Sequence, residues 1–317
     1  MTEHDSSEAL LADEFALKPP WIYLNHAAVA PWPRRTAQAV KRFAEENQDY
    51  GASHYEAWLA TERATRGQLA TLIKAPSDDD IAFVKNTSEA LSIVAHGFPW
   101  QAGDNVVISD EEFPSNRIVW ESLARYGVRV REVGLNVRDP EQALLDAADD
   151  RTRLLSISSV QYASGLRLDL ARLGAACRAR DIAFCVDAIQ SLGAVDHNVV
   201  ACAIDFLMAD AHKWLLGPEG IGVFYCSAAW RERLMLHEYG WRMVQHPGDF
   251  DRREWQADPS ARRFECGSPN MLGIHALSAS LSLLLEIGMP RVERLVLARA
   301  EHLMSAIEAN PTLDLVT

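Results

Sequence analysis

Asp210-Ala211-His212-Lys213-Trp214-Leu215-Leu216-Gly217-Pro218-Glu219-Gly220-Ile221-Gly222 is the stretch on which the fold turns. An apolar, strand-like run at residues 205–209 precedes it, and a second at 221–225 follows. Between the two runs stand a lysine and a Gly/Pro-rich turn. A lysine at the end of a core strand is costly unless it is paired or used covalently. The chain is poor in lysine, with only Lys18, Lys41, Lys74, Lys85 and Lys213, and arginine carries the positive charge almost everywhere else. Imine chemistry needs a primary amine, which arginine cannot supply. Lys213 is therefore a candidate nucleophile.

Upstream, short runs rich in β-branched residues alternate with helical patterns. Strands are predicted at 81–85, 105–109, 128–133, 153–158, 182–186, 205–209 and 221–225. Helices are predicted at 34–49, 55–74, 88–96, 116–126, 141–148 and 170–180. Apolar runs that do not alternate, set between helices, indicate a mainly parallel sheet covered by helices on both faces, an α/β architecture. Residues 21–24 also read as a short strand. Beyond about residue 236 a polar loop leads to Gly267-Ser268-Pro269-Asn270, then to helices at 271–286 and 291–309 and a strand-like end at 313–316.

In such sheets ligands gather at the carboxyl ends of the strands, and two further segments end strands there. In Lys85-Asn86-Thr87-Ser88-Glu89 a strand turns into a helix through small polar residues. The unpaired N–H groups of a helix start can hold a phosphate. The plainer reading is an N-cap by Thr87 or Ser88 with Glu89 assisting. In Val186-Asp187-Ala188-Ile189-Gln190 an aspartate ends a buried strand. It either caps the next helix or pairs with a protonated pyridine nitrogen, with Gln190 near the ring's phenolic oxygen.

The composition narrows the alternatives. With 44 acidic residues against 31 Lys and Arg, the net charge of -13 argues against broad nucleic-acid or anionic-membrane binding. No apolar run has the length of a membrane span. The five scattered cysteines form no C-x-x-C and read as reduced thiols of a cytoplasmic protein. No G-x-G-x-x-G or P-loop follows a strand, which disfavours a nucleotide-binding protein.

The pattern His212-Lys213-x-Leu-x-Gly-Pro-x-Gly-x-Gly, preceded by Asp187-Ala188-x-Gln190, resembles the class V aminotransferase family of fold-type I pyridoxal 5'-phosphate (PLP) enzymes. The likeness runs from Tyr23-Leu24-Asn25-His26-Ala27-Ala28 to Phe264-Glu265-Cys266-Gly267-Ser268-Pro269-Asn270. It implies three segments: a flexible stretch at 1–20, a PLP-binding α/β domain at 21–265, and connecting helices with an incomplete C-terminal domain at 266–317. It implies that Lys213 is the Schiff-base lysine and that Asp187 pairs with the pyridine nitrogen. Gln190 then touches the phenolic oxygen, and Thr87, Ser88 and His212 hold the phosphate. Phe113 stacks on the ring, Tyr162 lies beside the ring oxygen, and Ser268 reaches the phosphate of a second subunit in a homodimer.

The implied activity is that of a lyase (cysteine desulfurase-like) or aminotransferase on a small amino acid. Alternatives are an epimerase, a kynureninase-like hydrolase, or a non-catalytic scaffold. Phe113 stands where desulfurases have histidine, which leans away from desulfurase chemistry. Asp210 stands where many relatives place Ser or Thr toward the phosphate; the expectation is that it turns away to orient His212 or cap a loop. Cys266 and the cluster Arg252, Arg253, Arg262 and Arg263 are weaker candidates for thiol chemistry and for carboxylate binding.

Overall fold

A computed structural model describes residues 10–15 and 17–315. Two long helices come first, α1 (Arg34–Tyr50) and α2 (Tyr55–Ile73). The alternating part follows as β1 (Ile81–Val84), α3 (Thr87–Gly97), β2 (Asn105–Ser109), α4 (Ser115–Glu121), β3 (Arg129–Val133), α5 (Pro140–Asp146), β4 (Thr152–Ser158), α6 (Leu170–Ala179), β5 (Ala183–Asp187), β6 (Phe206–Asp210) and β7 (Gly222–Cys226). The chain ends with a short helix α7 (Ala228–Arg231), then α8 (Met271–Ile287) and α9 (Met289–Glu308).

The seven strands form one sheet in the order β1-β7-β6-β5-β4-β2-β3. Pairs β2–β3, β2–β4, β4–β5 and β5–β6 are parallel, whereas β7 runs antiparallel to both β6 and β1. The expected mainly parallel α/β sheet is thus present, with a reversed strand near one edge. A parallel return from β6 to β7 would need a crossover of a dozen or more residues, and the Lys213 turn is too short for one.

Why these segments pair is visible in their two faces. Successive side chains point to opposite sides of a strand. Ile81, Phe83, Phe184, Val186, Leu207 and Val223 pack on one side with Leu69, Ile73, Ile274 and Leu277 of α2 and α8. Ala82, Val84, Cys185, Phe206, Met208 and Phe224 pack on the other with Leu91 and Val94 of α3 and Trp120 of α4. Burying Phe184, Phe206 and Phe224 completely contributes about 1.5–3 kcal/mol each. The edge strand β3 is only half covered, and its Arg129, Arg131 and Glu132 discourage pairing with another chain.

Two expectations change. Residues 21–24 form no strand; Trp21 and Ile22 stand 77% and 87% exposed because no neighbouring strand is there to cover them. Residues 313–315 likewise form no strand, and residue 316 lies outside the described residues. In the segment expected to be flexible, residues 10–14 are helical. Glu14 docks there, accepting from the Arg35 backbone (3.0 Å) and guanidinium (2.6 Å) at the start of α1. Residues 1–9 and 16 of that segment lie outside the described residues.

Candidate functional site

Parallel register delivers three polar residues to one edge of the sheet. Ser158 ends β4 opposite Asp187, which ends β5, and Asp210 ends β6 beside it. Three residues on, Lys213 sits in a loop whose backbone is closed on itself. Leu216 N–H donates to the Lys213 carbonyl (3.1 Å) and Gly217 N–H to the Ala211 carbonyl (2.8 Å). The N-terminal segment lies across it: Ala30 N–H donates to the His212 carbonyl (2.7 Å), and the His26 ring stacks on Trp214 at 5.4 Å. From below, Gly193 (φ +102) comes so close that a Cβ would stand 2.1 Å from the Trp214 carbonyl oxygen. Only glycine serves there, for its conformation and for its size.

Phe113, Tyr162 and Lys213 are brought together. The Lys213 amine lies 5.8 Å from the Phe113 ring centre, and Tyr162 meets Phe113 edge-on at 5.2 Å. Both aromatic rings are nearly half exposed, so they wall an open recess rather than a core. Gln190 is buried nearby and donates to the Ala27 carbonyl (3.1 Å), which ties the N-terminal segment to the site.

Sequence reasoning passed over Glu112, which holds Phe113 in place. Its buried carboxylate accepts from Ser109 Oγ (2.7 Å), Asn116 Nδ2 (2.7 Å), Ser158 N (2.9 Å), Ser158 Oγ (2.6 Å) and Gln161 Nε2 (3.1 Å). The side chain thus clamps the ends of β2 and β4 to the start of α4. Removing a buried, fully used carboxylate strands its donors. Glu112→Ala is expected to cost about 3–5 kcal/mol in urea unfolding; a loss under about 1 kcal/mol would show that the clamp carries little.

The electrostatics mark Lys213 and Asp187. Burial lowers the Lys213 amine from its usual value, partly opposed by the Asp187 and Asp210 carboxylates. Burial lifts Asp187 to about 7, against one lowering hydrogen bond from Ile189 N–H, and the Glu112 and Asp210 charges push the same way. Asp187 has one backbone donor and feels the Lys213 charge only at a distance, without an ion pair among the described residues, and groups perturbed this way cluster at functional sites.

At the start of α3 the helix cap is Asn86, whose side chain accepts from Glu89 N–H (2.9 Å), not Thr87 or Ser88. Asparagine is the stronger cap and stands one residue earlier. This leaves the Ser88 N–H at the positive end of the helix without a helical partner. Ser88 Oγ donates to Ser115 Oγ (2.8 Å), and Thr87 N–H donates to Asp210 Oδ1 (2.5 Å). Asp210 therefore caps this helix and faces His212, with Oδ2 3.6 Å from Nδ1. It faces His212 as expected, but it does not turn away from the helix start that would receive the phosphate.

Ser268 does not join this group. It is exposed and lines a separate cavity of about 260 Å³ with Lys85, Glu89, Gly220 and Cys266. Cys266 donates to Glu238 (3.4 Å), and burial pushes its thiol up, so a thiolate is disfavoured. Arg262 pairs with Asp258, and Arg252 donates to the Glu254 carbonyl (3.1 Å). Among the described residues, no group of acids, histidines and cysteines is arranged to hold a metal.

An amine of lowered basicity, a buried acid awaiting a cation and a helix start open to an anion, gathered at strand ends, define a site for a phosphorylated carbonyl cofactor with a basic ring nitrogen. Pyridoxal phosphate fits those three features.

The comparisons agree. Residues 22–317 match the "Aminotransferase class-V" family model. A probable cysteine desulfurase of Methanothermobacter thermautotrophicus is 32% identical over 295 residues, 91% of this chain and 72% of that protein. The cysteine desulfurase CsdA of Escherichia coli superposes with a TM-score of 0.84 at 26% identity, over 96% of this chain and 78% of its own. A C-DES mutant with glycine covalently linked to its PLP cofactor shares the fold, with a TM-score of 0.86 at 22% identity over 95% of this chain and 80% of its own. The chain belongs to the class V aminotransferase family. It is a PLP-dependent enzyme with a cysteine desulfurase-like architecture.

Proposed function

We propose that the chain acts on a small amino acid at Lys213 as a lyase that releases a β-substituent, or as an aminotransferase. The observation that carries this reading is the Lys213 amine set at the sheet edge among Asp187, Phe113 and His212. When bound, the cofactor supplies an electron sink for the charge left at the substrate's α-carbon. Lys213 Nζ would anchor the cofactor through its primary amine and would be the base for the proton on the substrate's α-carbon. Asp187 would hold the proton on the ring nitrogen. Ser88, Thr87 and His212 would hold the phosphate, Phe113 would cover the ring, and Gln190 and Tyr162 would serve the ring oxygen.

Phe113 carries no proton. A cysteine desulfurase that relies on histidine there would have to move protons by another group, which favours Tyr162 or Lys213 alone. The same observation supports a second reading, epimerase or kynureninase-like chemistry.

The exposed Ser268 turn supports a homodimer in which it serves a partner. Five free cysteines support a cytoplasmic setting. The net charge of -13 supports neither nucleic-acid nor membrane binding, and no single described helix is long and apolar enough to cross a membrane.

The test is a panel of L-cysteine, L-cystine, L-selenocysteine, L-kynurenine and L-alanine added to the PLP-loaded protein. A change in the visible spectrum with release of sulfide, selenide or a keto acid is expected, and the product distinguishes lyase from aminotransferase. A loaded protein whose spectrum answers to none of a full amino-acid set would instead be the non-catalytic scaffold.

A further inference from the structure

The start of α3 is asked to hold two anions. It is the helix end that would receive the cofactor phosphate, yet its Thr87 N–H is already taken by the Asp210 carboxylate at 2.5 Å. The other Asp210 oxygen faces His212 Nδ1 at 3.6 Å, and that nitrogen is buried with no hydrogen-bond partner. The opposing residue on β7 is Gly222, and Asp210 Oδ1 leans into the room its missing side chain leaves, 3.1 Å from where a Cβ would stand, with the Thr87 N–H holding it there. The carboxylate is therefore fixed beside the phosphate position. Two anions at one helix end repel strongly in a half-buried setting. A proton on His212 resolves the conflict, since the imidazolium donates from Nδ1 to Asp210 and from Nε2 outward.

We infer that Asp210 makes phosphate binding proton-linked: the Asp210–His212 pair must take up a proton for the cofactor phosphate to be held. The proposal rests on the PLP reading above. Other charges facing the pair are Lys213, Asp187 and Glu219. On α3, Lys85 and Glu89 pair with each other (3.0 Å). Burial lowers His212 in the absence of ligand, with Asp210 opposing that shift, so the proton is largely missing from the free protein at neutral pH. A bound phosphate raises the pair's affinity for a proton, so by linkage phosphate affinity is greatest in acid and falls as pH rises.

The test uses pyridoxine 5'-phosphate, which has no aldehyde to react with Lys213, with pyridoxine as the phosphate-free control. Binding is followed by calorimetry at pH 6 to 9 on the wild type and on Asp210→Asn, which keeps the acceptor for Thr87. Asp210→Ser is the second variant, in case the amide perturbs folding. The ratio of wild-type to variant Kd cancels titration of the probe itself. That ratio is expected near one at pH 6 and to rise about tenfold or more by pH 9, with no such trend for pyridoxine. A ratio flat with pH, or variants that bind more weakly throughout, would overturn the proposal and make Asp210 a plain cap. Absence of binding to any of the proteins at every pH would sink the PLP reading and the proposal with it.

Discussion

Lys213→Ala is expected to lose at least roughly 10³-fold in turnover on every amino-acid substrate. It should also lose the visible absorbance that borohydride removes from the PLP-loaded wild type. Peptide mass mapping after reduction places the pyridoxyl mass on the Lys213 peptide in the wild type and on no single peptide in the variant. Lys213→Arg separates charge from nucleophilicity: it restores a cation facing Asp187 and Asp210 but has no primary amine, so it is expected to be as inactive as the alanine variant. Buried lysines titrate low because burial disfavours the ammonium, which leaves more of the free amine at neutral pH. Retained turnover in Lys213→Ala, or in the wild type a label spread over Lys18, Lys41, Lys74 and Lys85, would end the assignment of Lys213.

Asp187→Asn is expected to lower turnover about 10²–10³-fold, the usual effect of deleting one preorganised electrostatic partner, while leaving the covalent link to Lys213 intact. The same substitution should stabilise the cofactor-free protein. Asp187 is held near 7 by burial, above its ordinary 3.8, so the native state binds this proton more tightly than the unfolded chain does. Stability is then lost as pH rises from about 4 to about 7 and stays lost above, a penalty on the order of 4 kcal/mol once the group is ionised. An uncharged amide escapes it. The gap in thermal midpoint between variant and wild type should vanish near pH 4 and open by pH 8. A gap independent of pH would mean that Asp187 is paired in the free protein. The two effects together describe an acid kept at the expense of fold stability for the sake of a ligand.

Much of the arrangement was legible because it broke local rules. Lys213 and Asp187 were conspicuous as charged residues closing apolar strands, and a burial-driven cost is readable from neighbours alone. Strand positions were legible for the same reason: runs such as Phe184-Cys185-Val186 are apolar on both faces. Glu112 was not, since Asp110-Glu111-Glu112 has the composition of a surface turn. Its role depends on Ser158 and Gln161, donors brought from another strand. The Asn86 cap was missed in favour of two hydroxyl residues that are ordinary caps elsewhere. The reversal of β7 did have a signal, the shortness of the Lys213 turn, which the alternating rhythm of the chain obscured. Residues 21–24 show the converse. Their side chains suit a strand, but pairing is a tertiary property that propensity cannot supply.

Glu112 also has a consequence for how the enzyme meets its solvent. Its charge contributes to the upward displacement of Asp187 from a position sealed behind the sheet edge, where mobile ions do not enter. Exposed pairs such as Arg172–Asp139 are screened over about 8–10 Å at ordinary ionic strength. The field that Glu112 casts on Asp187 is not. Potassium chloride should therefore weaken capture of an anionic ligand at the rim while leaving the tuning of the buried acid untouched, so that salinity changes how often the site is filled and not how it behaves once filled.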